Sequence, residues 1–400
     1  MEIRRCVLVT KNIFMKKRYI EFDGMRGWLA LWVAVAHILC WCGYGRLSRD
    51  GKLGQIWSEF TAADAAVETF IILSGFAIHT LLRREPQSYG RYMIGRFFRI
   101  YPVYAICLLM SLALLPAVTH LVAYLPWKAD YYIGWMGLIS ENQTAHPMAH
   151  AFWHATLLHG TLPKSFLNYA TTTLLKPAWS ISLEWQFYLA APLIALMLRK
   201  STGVAVLIAA ALFGRFTQGI WANPDNAFLL RWLPMFLIGI VCAEFAAWCE
   251  QREDLPRRHG MMIVGIGIGL TLFLINKPIS FGIWTLGFSV AIGAWEGFFP
   301  KVGNLLGGMM RMRVAQWLGA LSYPLYLLHG PFIVAMISFL HRWDPGMGQK
   351  GVLLILLAIG MPMLLLSAWA MHIWIEKPFM RLGKRLSGRT AKVSAEPVVP

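Results

Sequence analysis

The chain has 400 residues, of which 57% are hydrophobic and only 14% charged, and its mean hydropathy is +0.53. This composition excludes an ordinary water-soluble protein. The formal charge of +17 would suit a nucleic-acid-binding protein, but the lysines and arginines lie between apolar runs instead of on one soluble face. Six cysteines without a CxxC pair indicate neither a disulfide framework nor a zinc site. The histidines do not cluster with other ligands at metal-binding spacing, so we expect no metal or redox cofactor.

Apolar runs long enough to cross a bilayer recur along nearly the whole chain. Lipid cannot satisfy backbone polar groups, so spanning segments are helices or closed barrels. The segment 352–374 is apolar on all sides, whereas barrel strands alternate apolar and polar residues. The sequence therefore predicts an all-α, polytopic transmembrane helical bundle of about ten spans. These spans cover residues 27–44, 61–82, 101–118, 180–198, 203–221, 229–248, 261–276, 281–299, 315–340 and 351–375.

The interval 119–179 is long and of mixed polarity. Within it, residues 149–162 are apolar and carry three histidines, His150, His154 and His159. This piece is short for a span. We expect a helix that lies at the membrane surface or is tucked partly into the bundle.

Three regions follow from this pattern. We expect an N-terminal extension at 1–19, a membrane domain at 20–380 and a basic, disordered cytoplasmic tail at 381–400. No apolar segment with a cleavage site precedes the first span, so a cleavable signal peptide is not expected. Met15 is followed by three basic residues just ahead of the first helix, and our hypothesis is that translation begins there.

The distribution of basic residues predicts the orientation. Ten spans put both termini on one side, together with 26 of the 37 lysines and arginines, and leave 11 on the other side. Basic loops stay cytoplasmic, so both termini are predicted to be cytoplasmic. An eleventh span at 149–162 would reverse everything after it and place the basic tail outside, which argues against such a span.

Arg26 and His37 are eleven residues apart on the first span, which is roughly 16 Å along a helix. Arg26 is therefore expected at the cytoplasmic face and His37 in the outer half of the bilayer. An ionisable group within the hydrocarbon is costly and suggests a functional site. The alternative is that Arg26 only reaches the interface and that His37 hydrogen-bonds inside the bundle.

Arg96 and Arg99 share a helix face at the start of the third span. Anchoring at the cytoplasmic boundary explains any one of these arginines. Together with Arg26 they are predicted to form a cationic mouth. Because arginine binds phosphate with two parallel hydrogen bonds, a phosphorylated cytosolic ligand would suit this mouth.

Glu184 lies in an aromatic, apolar stretch that begins with Trp179 and Ser180. A carboxylate there needs a partner or must be neutral. Glu184 is either a structural hydrogen-bonding residue between helices or a partner for His37 or for a bound hydroxyl.

The ninth span carries a serine, two phenols and a second imidazole within one apolar stretch. Ser322 and Tyr323 can donate hydrogen bonds from their hydroxyls. His329 is either a satisfied interior residue or a functional group, since histidines inside membrane helices serve as both.

These motifs together resemble the acyltransferase-3 family of bacterial integral-membrane O-acyltransferases. The matches occur in family order between about residues 20 and 380, which is more specific than any single motif. The arginine-x10-histidine signature matches Arg26 and His37, and the R-x-x-R element matches Arg96 and Arg99. Residues 70–76 resemble F-F-x-L-S-G-F, 179–188 resemble W-S-L-x-x-E-x-x-F-Y, and 318–329 resemble L-G-x-x-S-Y-x-x-Y-L-x-H. Ile71 and Ile181 depart from the family's usual Phe and Leu.

The resemblance implies a ten-span core in the bacterial cytoplasmic (inner) membrane. It further implies a cytosolic acyl-CoA donor, most simply acetyl-CoA as co-substrate, and a carbohydrate or glycolipid hydroxyl as acceptor. Some members carry an extra C-terminal hydrolase-like domain. This sequence shows none, so we expect the stand-alone type.

On this hypothesis the CoA phosphates contact Arg26, Arg96 and Arg99. His37 as neutral imidazole is the general base, a role that its unperturbed pKa of about 6.5 suits. Glu184 is expected to orient His37 or to bind the acceptor. Candidates for binding the acceptor or the oxyanion are Ser322, Tyr323, His329, Trp179 and Ser180.

Two other functions stay open at this point. The acceptor can be a secreted small molecule such as a macrolide, which the same motifs fit equally well. A sugar or glycolipid transporter is the alternative from another class, because buried His and Glu also serve proton-coupled carriers. No two-fold internal repeat is visible, which argues against a carrier.

Overall fold

The computed structural model describes residues 18–45, 51–216, 227–252, 254–273 and 278–388, and within these ranges every regular element is a helix. The helices are α1 Ile20–Trp41, α2 Gly51–Ala62, α3 Asp64–Arg84, α4 Tyr89–Ala113, α5 Leu115–Tyr124, α6 Tyr131–Ala145, α7 Pro147–Ala155, α8 Ala178–Met197, α9 Ser201–Phe216, α10 Leu229–Glu250, α11 Asp254–Arg258, α12 Gly260–Phe273, α13 Pro278–Ala291, α14 Pro300–Arg311, α15 Arg313–Trp343 and α16 Gln349–Leu386. The last of these includes two short π-helical segments, at Leu356–Gly360 and His372–Glu376.

The prediction of an all-α helical membrane bundle is confirmed. Seven of the described helices are long and apolar enough to cross a membrane: α1, α3, α4, α8, α10, α15 and α16. The remaining three predicted spans correspond to the shorter apolar helices α9, α12 and α13. The apolar α5 is a further short helix, which follows α4 after a break at Leu114.

The third span begins earlier than the sequence suggests. The helix starts at Tyr89, so Arg96 and Arg99 lie two turns or more inside α4 instead of opening it. The turns before residue 101 contain arginines, so the apolar pattern of the sequence did not include them in the predicted span. Both side chains can therefore point sideways into the bundle. At the end of a helix they would instead point toward solvent.

Residues 149–162 do not form a span in the structure. They contain the end of α7, which has nine residues, and a single 3-10 turn at His159–Thr161. Neither is long enough to cross a bilayer. All three histidines in this piece are fully buried, so it is tucked into the protein.

The ends of the chain were predicted to lie outside the bundle. At the C-terminus α16 continues through Leu386, so the segment expected to be disordered from 381 onward begins as helix. Lys384 and Arg385 lie in its last turn, where cations interact favourably with the helix dipole. Residues 389–400, residues 1–17 and with them the proposed start at Met15 lie outside the described residues.

The packing of α1 against α15 organises the centre of the bundle. Gly27 of α1 faces the backbone of α15, and a Cβ placed on Gly27 would stand 2.6 Å from the carbonyl oxygen of Ala315 and 2.7 Å from the amide nitrogen of Gly319. Gly319 in turn faces the carbonyl of Asp23 without room for a Cβ. Small residues on both sides let the two backbones touch, which is how membrane helices associate closely.

Substitution Gly27→Ala tests this contact. The added methyl group would clash with backbone atoms of α15, and this clash is relieved only if the two helices move apart. We therefore expect the free energy of unfolding to fall by roughly 1–3 kcal/mol. The measurement is the melting temperature of the detergent-solubilised protein. Gly137→Ala in α6 is the control, because nothing lies within 4 Å of its Cβ position. Equal melting temperatures for the two variants would contradict the close contact.

Candidate functional site

Two cavities open between the helices, and each contains part of the predicted site. The first has a volume of about 200 Å³ and is called the arginine cavity, because Arg26, Arg96 and Arg99 line it. The second, of about 420 Å³, is called the histidine cavity, because His37 lines it. The arginine cavity also contains Glu184, Ser180, Ser322 and Tyr323, and the histidine cavity also contains Trp179.

Helices α1 and α4 bring the three arginines together in the arginine cavity. The Arg96 guanidinium lies 5.7 Å from the centre of the Tyr188 ring, and that of Arg99 lies 5.5 Å from the centre of the Tyr323 ring. Aromatic faces hold such cations without neutralising them. Within the described residues Arg26 and Arg96 have no ion-pair partner, and the buried Nε of Arg96 has no hydrogen-bond acceptor. This part of the cavity can therefore bind an anion.

Arg99 is paired differently. Its guanidinium forms an ion pair with Glu376, whose side chain is fully buried, and His372 donates from Nδ1 to the other oxygen of that carboxylate at 2.6 Å. Both partners lie in the π-helical segment of α16, a distortion that often marks functional sites. Glu376 was not among the predicted site residues. Its position as a carboxylate at the end of a long apolar run could have identified it.

Glu184 lies in the arginine cavity, apart from the imidazole that it was expected to orient. Its Oε1 accepts hydrogen bonds from the Ser74 hydroxyl at 3.1 Å and from the Tyr188 hydroxyl at 2.6 Å. His37 makes its hydrogen bond elsewhere, to a backbone carbonyl. The geometry therefore favours Glu184 as a residue that holds α3 and α8 together beside the arginines.

His37 has the tautomer that a general base needs. Its Nδ1 lies 2.9 Å from the carbonyl oxygen of Val33. A carbonyl can only accept, so Nδ1 carries the proton and Nε2 presents its lone pair. His37 is half-buried and lines the histidine cavity.

His329 lies directly beside His37 across the contact between α1 and α15. The two ring centres are 4.8 Å apart, and a smaller space of about 50 Å³ adjoins both rings. His329 is fully buried, and neither of its ring nitrogens makes a well-formed hydrogen bond within the described residues. A buried polar group of this kind is costly unless water or a ligand satisfies it. The sequence did not predict that these two histidines meet.

The hydroxyls of Ser322 and Tyr323 are already engaged. Ser322 donates to the carbonyl of Gly319 at 2.8 Å, and Tyr323 donates to the carbonyl of Ile100 at 2.6 Å. Each hydroxyl has one proton, so neither is free to donate to an oxyanion without breaking its backbone bond. The structure does not favour the interpretation of these two residues as oxyanion donors.

The histidine cavity has aromatic walls and charged groups of both signs. Trp179 packs against Trp232 with ring centres 5.3 Å apart, and the Lys176 ammonium lies 4.3 Å from the ring centres of both Tyr132 and Trp135. Other charged residues that line it are Asp64, Glu68 and Arg231. Apart from Trp179, the sequence did not single out these residues as site candidates, because they come from separate helices and loops and form no motif.

Comparison with known proteins identifies the family. A family model described as an acyltransferase domain matches residues 19–372. The chain belongs to the acyltransferase-3 family. The match includes His37 and the three arginines Arg26, Arg96 and Arg99, so every predicted donor-binding residue falls within it.

Two relatives of this acyltransferase-3 protein match it over most of their length. A protein of Komagataeibacter xylinus named as a membrane-bound transacylase, BcsY, is 24% identical over 88% of this chain and 83% of its own. The acyltransferase MdmB of Streptomyces mycarofaciens is 24% identical over 96% of this chain and 99% of its own. No solved structure matches the chain significantly. The protein is therefore a membrane O-acyltransferase, and the transporter interpretation is not supported.

A cluster of buried histidines supports the loop that leads into the histidine cavity. His150 hydrogen-bonds through Nδ1 to the Thr173 hydroxyl at 2.9 Å, and the rings of His154 and His159 stack with centres 3.8 Å apart. His159 also bonds through Nε2 to the carbonyl of Ala178 at 3.2 Å. Burial lowers the pKa of His150 to about 4 and that of His159 to about 3, and it holds the pKa of His154 well below its usual range.

Acid should therefore destabilise this acyltransferase. Below pH 6.5 the histidines bind protons in the unfolded chain but stay neutral in the folded protein. The free energy of unfolding therefore falls as the pH drops toward 4, by at most on the order of 3 kcal/mol per histidine. The measurement is melting temperature against pH from 7.5 to 4.5. His150→Gln should flatten this dependence, whereas His259→Gln, which changes an exposed histidine, should leave it unchanged. Identical slopes in wild type and His150→Gln would contradict a role for the cluster.

Proposed function

We propose that the protein transfers an acyl group, most simply acetyl, from acyl-CoA to a hydroxyl of a cell-surface or exported carbohydrate. The main observation in support is that the anion-binding arginine cavity and the histidine cavity adjoin each other. The first suits the phosphates of CoA, and the second suits an uncharged or zwitterionic acceptor with ring faces to stack on aromatic walls. The same chemistry would acylate a hydroxyl of a secreted small molecule.

The arginine cavity is the donor side of this proposal. Phosphate oxygens of CoA bind Arg26 and Arg96, while Arg99, held by Glu376, adds positive charge without being displaced. The pantetheine arm then runs between the helices with its thioester directed toward His37. Because this binding is electrostatic and bidentate, it fixes the position of the donor more than it stabilises the transition state.

The chemical step uses the free nitrogen of His37. Nε2 accepts the proton of the acceptor hydroxyl while the hydroxyl oxygen attacks the thioester carbonyl. The tetrahedral intermediate then collapses, the carbon–sulfur bond breaks, and the CoA thiolate takes the proton back from the imidazolium. The ester and free CoA leave, and His37 returns to its neutral form. His329, whose ring centre lies 4.8 Å from that of His37 and whose ring nitrogens make no well-formed hydrogen bond within the described residues, donates to the developing oxyanion in this proposal.

On this proposal the arginine cavity faces the cytoplasm, where acyl-CoA is found, and the histidine cavity faces the outside. The bias of lysines and arginines toward the side of the termini supports this orientation. In a bacterium this is the cytoplasmic membrane. An acceptor that is exported across this membrane would meet the acyl group at His37.

The overall test uses both the purified protein and the cell. Protein in lipid nanodiscs is given radiolabelled acetyl-CoA together with surface polysaccharide from a deletion strain, and the polysaccharide is analysed by NMR for O-acetyl groups. Label in the polysaccharide supports the proposal. Label found only in an extracted small molecule would favour the secreted acceptor, and no CoA release with either acceptor would contradict both.

His37→Ala should abolish transfer without unfolding the protein. Loss of a general base lowers rates by about 10²–10⁴-fold. The measurement is CoA release per minute in nanodiscs, with the melting temperature as a check on folding. His120→Ala, which removes an exposed imidazole from α5, is the control and should keep full activity. Wild-type rates in His37→Ala would exclude it as the base.

Arg96→Ala should weaken CoA binding. A hydrogen bond to a charged group contributes roughly 1.5–3 kcal/mol, which corresponds to an increase in Kd of about 10- to 150-fold. Isothermal titration with CoA gives the value. Arg91→Ala is the matched control, because Arg91 is exposed on the same helix and does not line the cavity. An equal Kd in both variants would mean that the phosphates bind elsewhere.

A further inference from the structure

Tyr326 lies at the boundary between the two cavities. Among the described residues it is the only one that lines both the arginine cavity and the histidine cavity. Its side chain comes from α15, the helix that packs on α1, and is buried with 6% of its surface exposed. The two spaces are therefore separated at this point by one phenol ring.

The hydroxyl of Tyr326 is anchored on both sides of that boundary. It lies 2.8 Å from the hydroxyl oxygen of Ser180, a residue of the arginine cavity, and 3.1 Å from the carbonyl oxygen of Pro177, a residue of the histidine cavity. These hydrogen bonds tie α15 to the start of α8. They hold the ring in one orientation, because a buried hydroxyl gives up such partners only at a cost.

The ring of Tyr326 has an aromatic neighbour toward each half of the site. Phe70 of the arginine cavity lies edge-on at 6.0 Å between ring centres, and His329, the neighbour of His37, lies at the same distance. Tyr326 and His329 are three residues apart and share a face of α15. On the proposed function, a thioester that moves from the arginines toward the two histidines therefore passes beside the Tyr326 ring.

We propose that Tyr326 partitions the donor cavity from the acceptor cavity and limits the size of the acyl group that reaches His37. The size limit rests on the proposed function, whereas the partition itself does not. A two-carbon acyl group passes beside the ring. A longer acyl chain clashes with the ring. The ring can move aside only if its hydroxyl breaks the hydrogen bonds to Ser180 and Pro177 and is left without a partner.

The partition is tested first without reference to activity. Ala62 is half-buried and lines the histidine cavity, so Ala62→Cys is introduced into a chain whose own cysteines are replaced by alanine. An anionic, membrane-impermeant methanethiosulfonate is applied to either side of sealed vesicles. Labelling is expected from one side only, and from both sides once Tyr326→Ala is added. Labelling from both sides without Tyr326→Ala, or from one side with it, would overturn the partition.

The size limit is tested by comparing acetyl-CoA with butyryl-CoA. Each methylene that a pocket accepts or rejects is worth about tenfold or more in kcat/KM. Tyr326→Ala should therefore raise the ratio of butyryl to acetyl transfer at least about tenfold. Tyr326→Phe keeps the ring but removes the hydroxyl that anchors it, so its ratio should rise less than that of Tyr326→Ala. Phe339→Ala, which removes an exposed ring from the same helix, should retain the wild-type ratio. An unchanged ratio in Tyr326→Ala, or an equal rise in Phe339→Ala, would overturn the limit.

The two experiments separate the proposals from each other. If wild-type protein releases no CoA but labelling follows the expected pattern, the proposed function fails and the partition stands. If transfer occurs but labelling does not depend on Tyr326, the function stands and the partition fails. The melting temperature of each variant shows whether a change in either readout comes from unfolding.

Discussion

The close contact between α1 and α15 is the constraint on which the rest of the structure depends. Gly27 and Gly319 let the two backbones touch, and no larger side chain fits at either position. This contact sets His37 beside His329, which come from opposite ends of the chain. It also fixes how far Tyr326 projects toward α8. Both the pairing of the two histidines and the boundary between the cavities therefore depend on two positions without a side chain.

Charge divides the site into two halves with different tasks. The arginine cavity combines three guanidinium groups with two carboxyl groups, those of Glu184 and of Glu376, which pairs with Arg99, so it keeps an excess of positive charge. The histidine cavity combines aromatic faces with lysine, arginine and carboxylates, so it has no strong preference for an anion. This division suits the proposed function, because acyl-CoA is highly charged and its acyl group is not. On that proposal, only the small uncharged group has to pass between the halves.

Sequence reasoning predicted the helices well and the arrangement of side chains only in part. Apolar length alone identified the spans, because lipid leaves the backbone no alternative to a helix. The three arginines do meet in one cavity, as their predicted position at the same ends of the spans suggested. Glu184 does not lie beside His37, since the rotation of α8 about its axis directs it to Ser74 of α3. Helix rotation depends on packing against several neighbours at once, and no local pattern records it.

By itself the sequence determined that this protein is an all-helical membrane protein, which residue types sit within the bilayer and to which family they belong. These properties depend on composition and on spacing along single helices, and both are local. Only the tertiary structure decided that His37 pairs with His329, that Glu376 holds Arg99 and that Tyr326 separates two cavities. Each of these contacts joins residues of different helices, and its geometry depends on the crossing of those helices and on the small residues that let them approach.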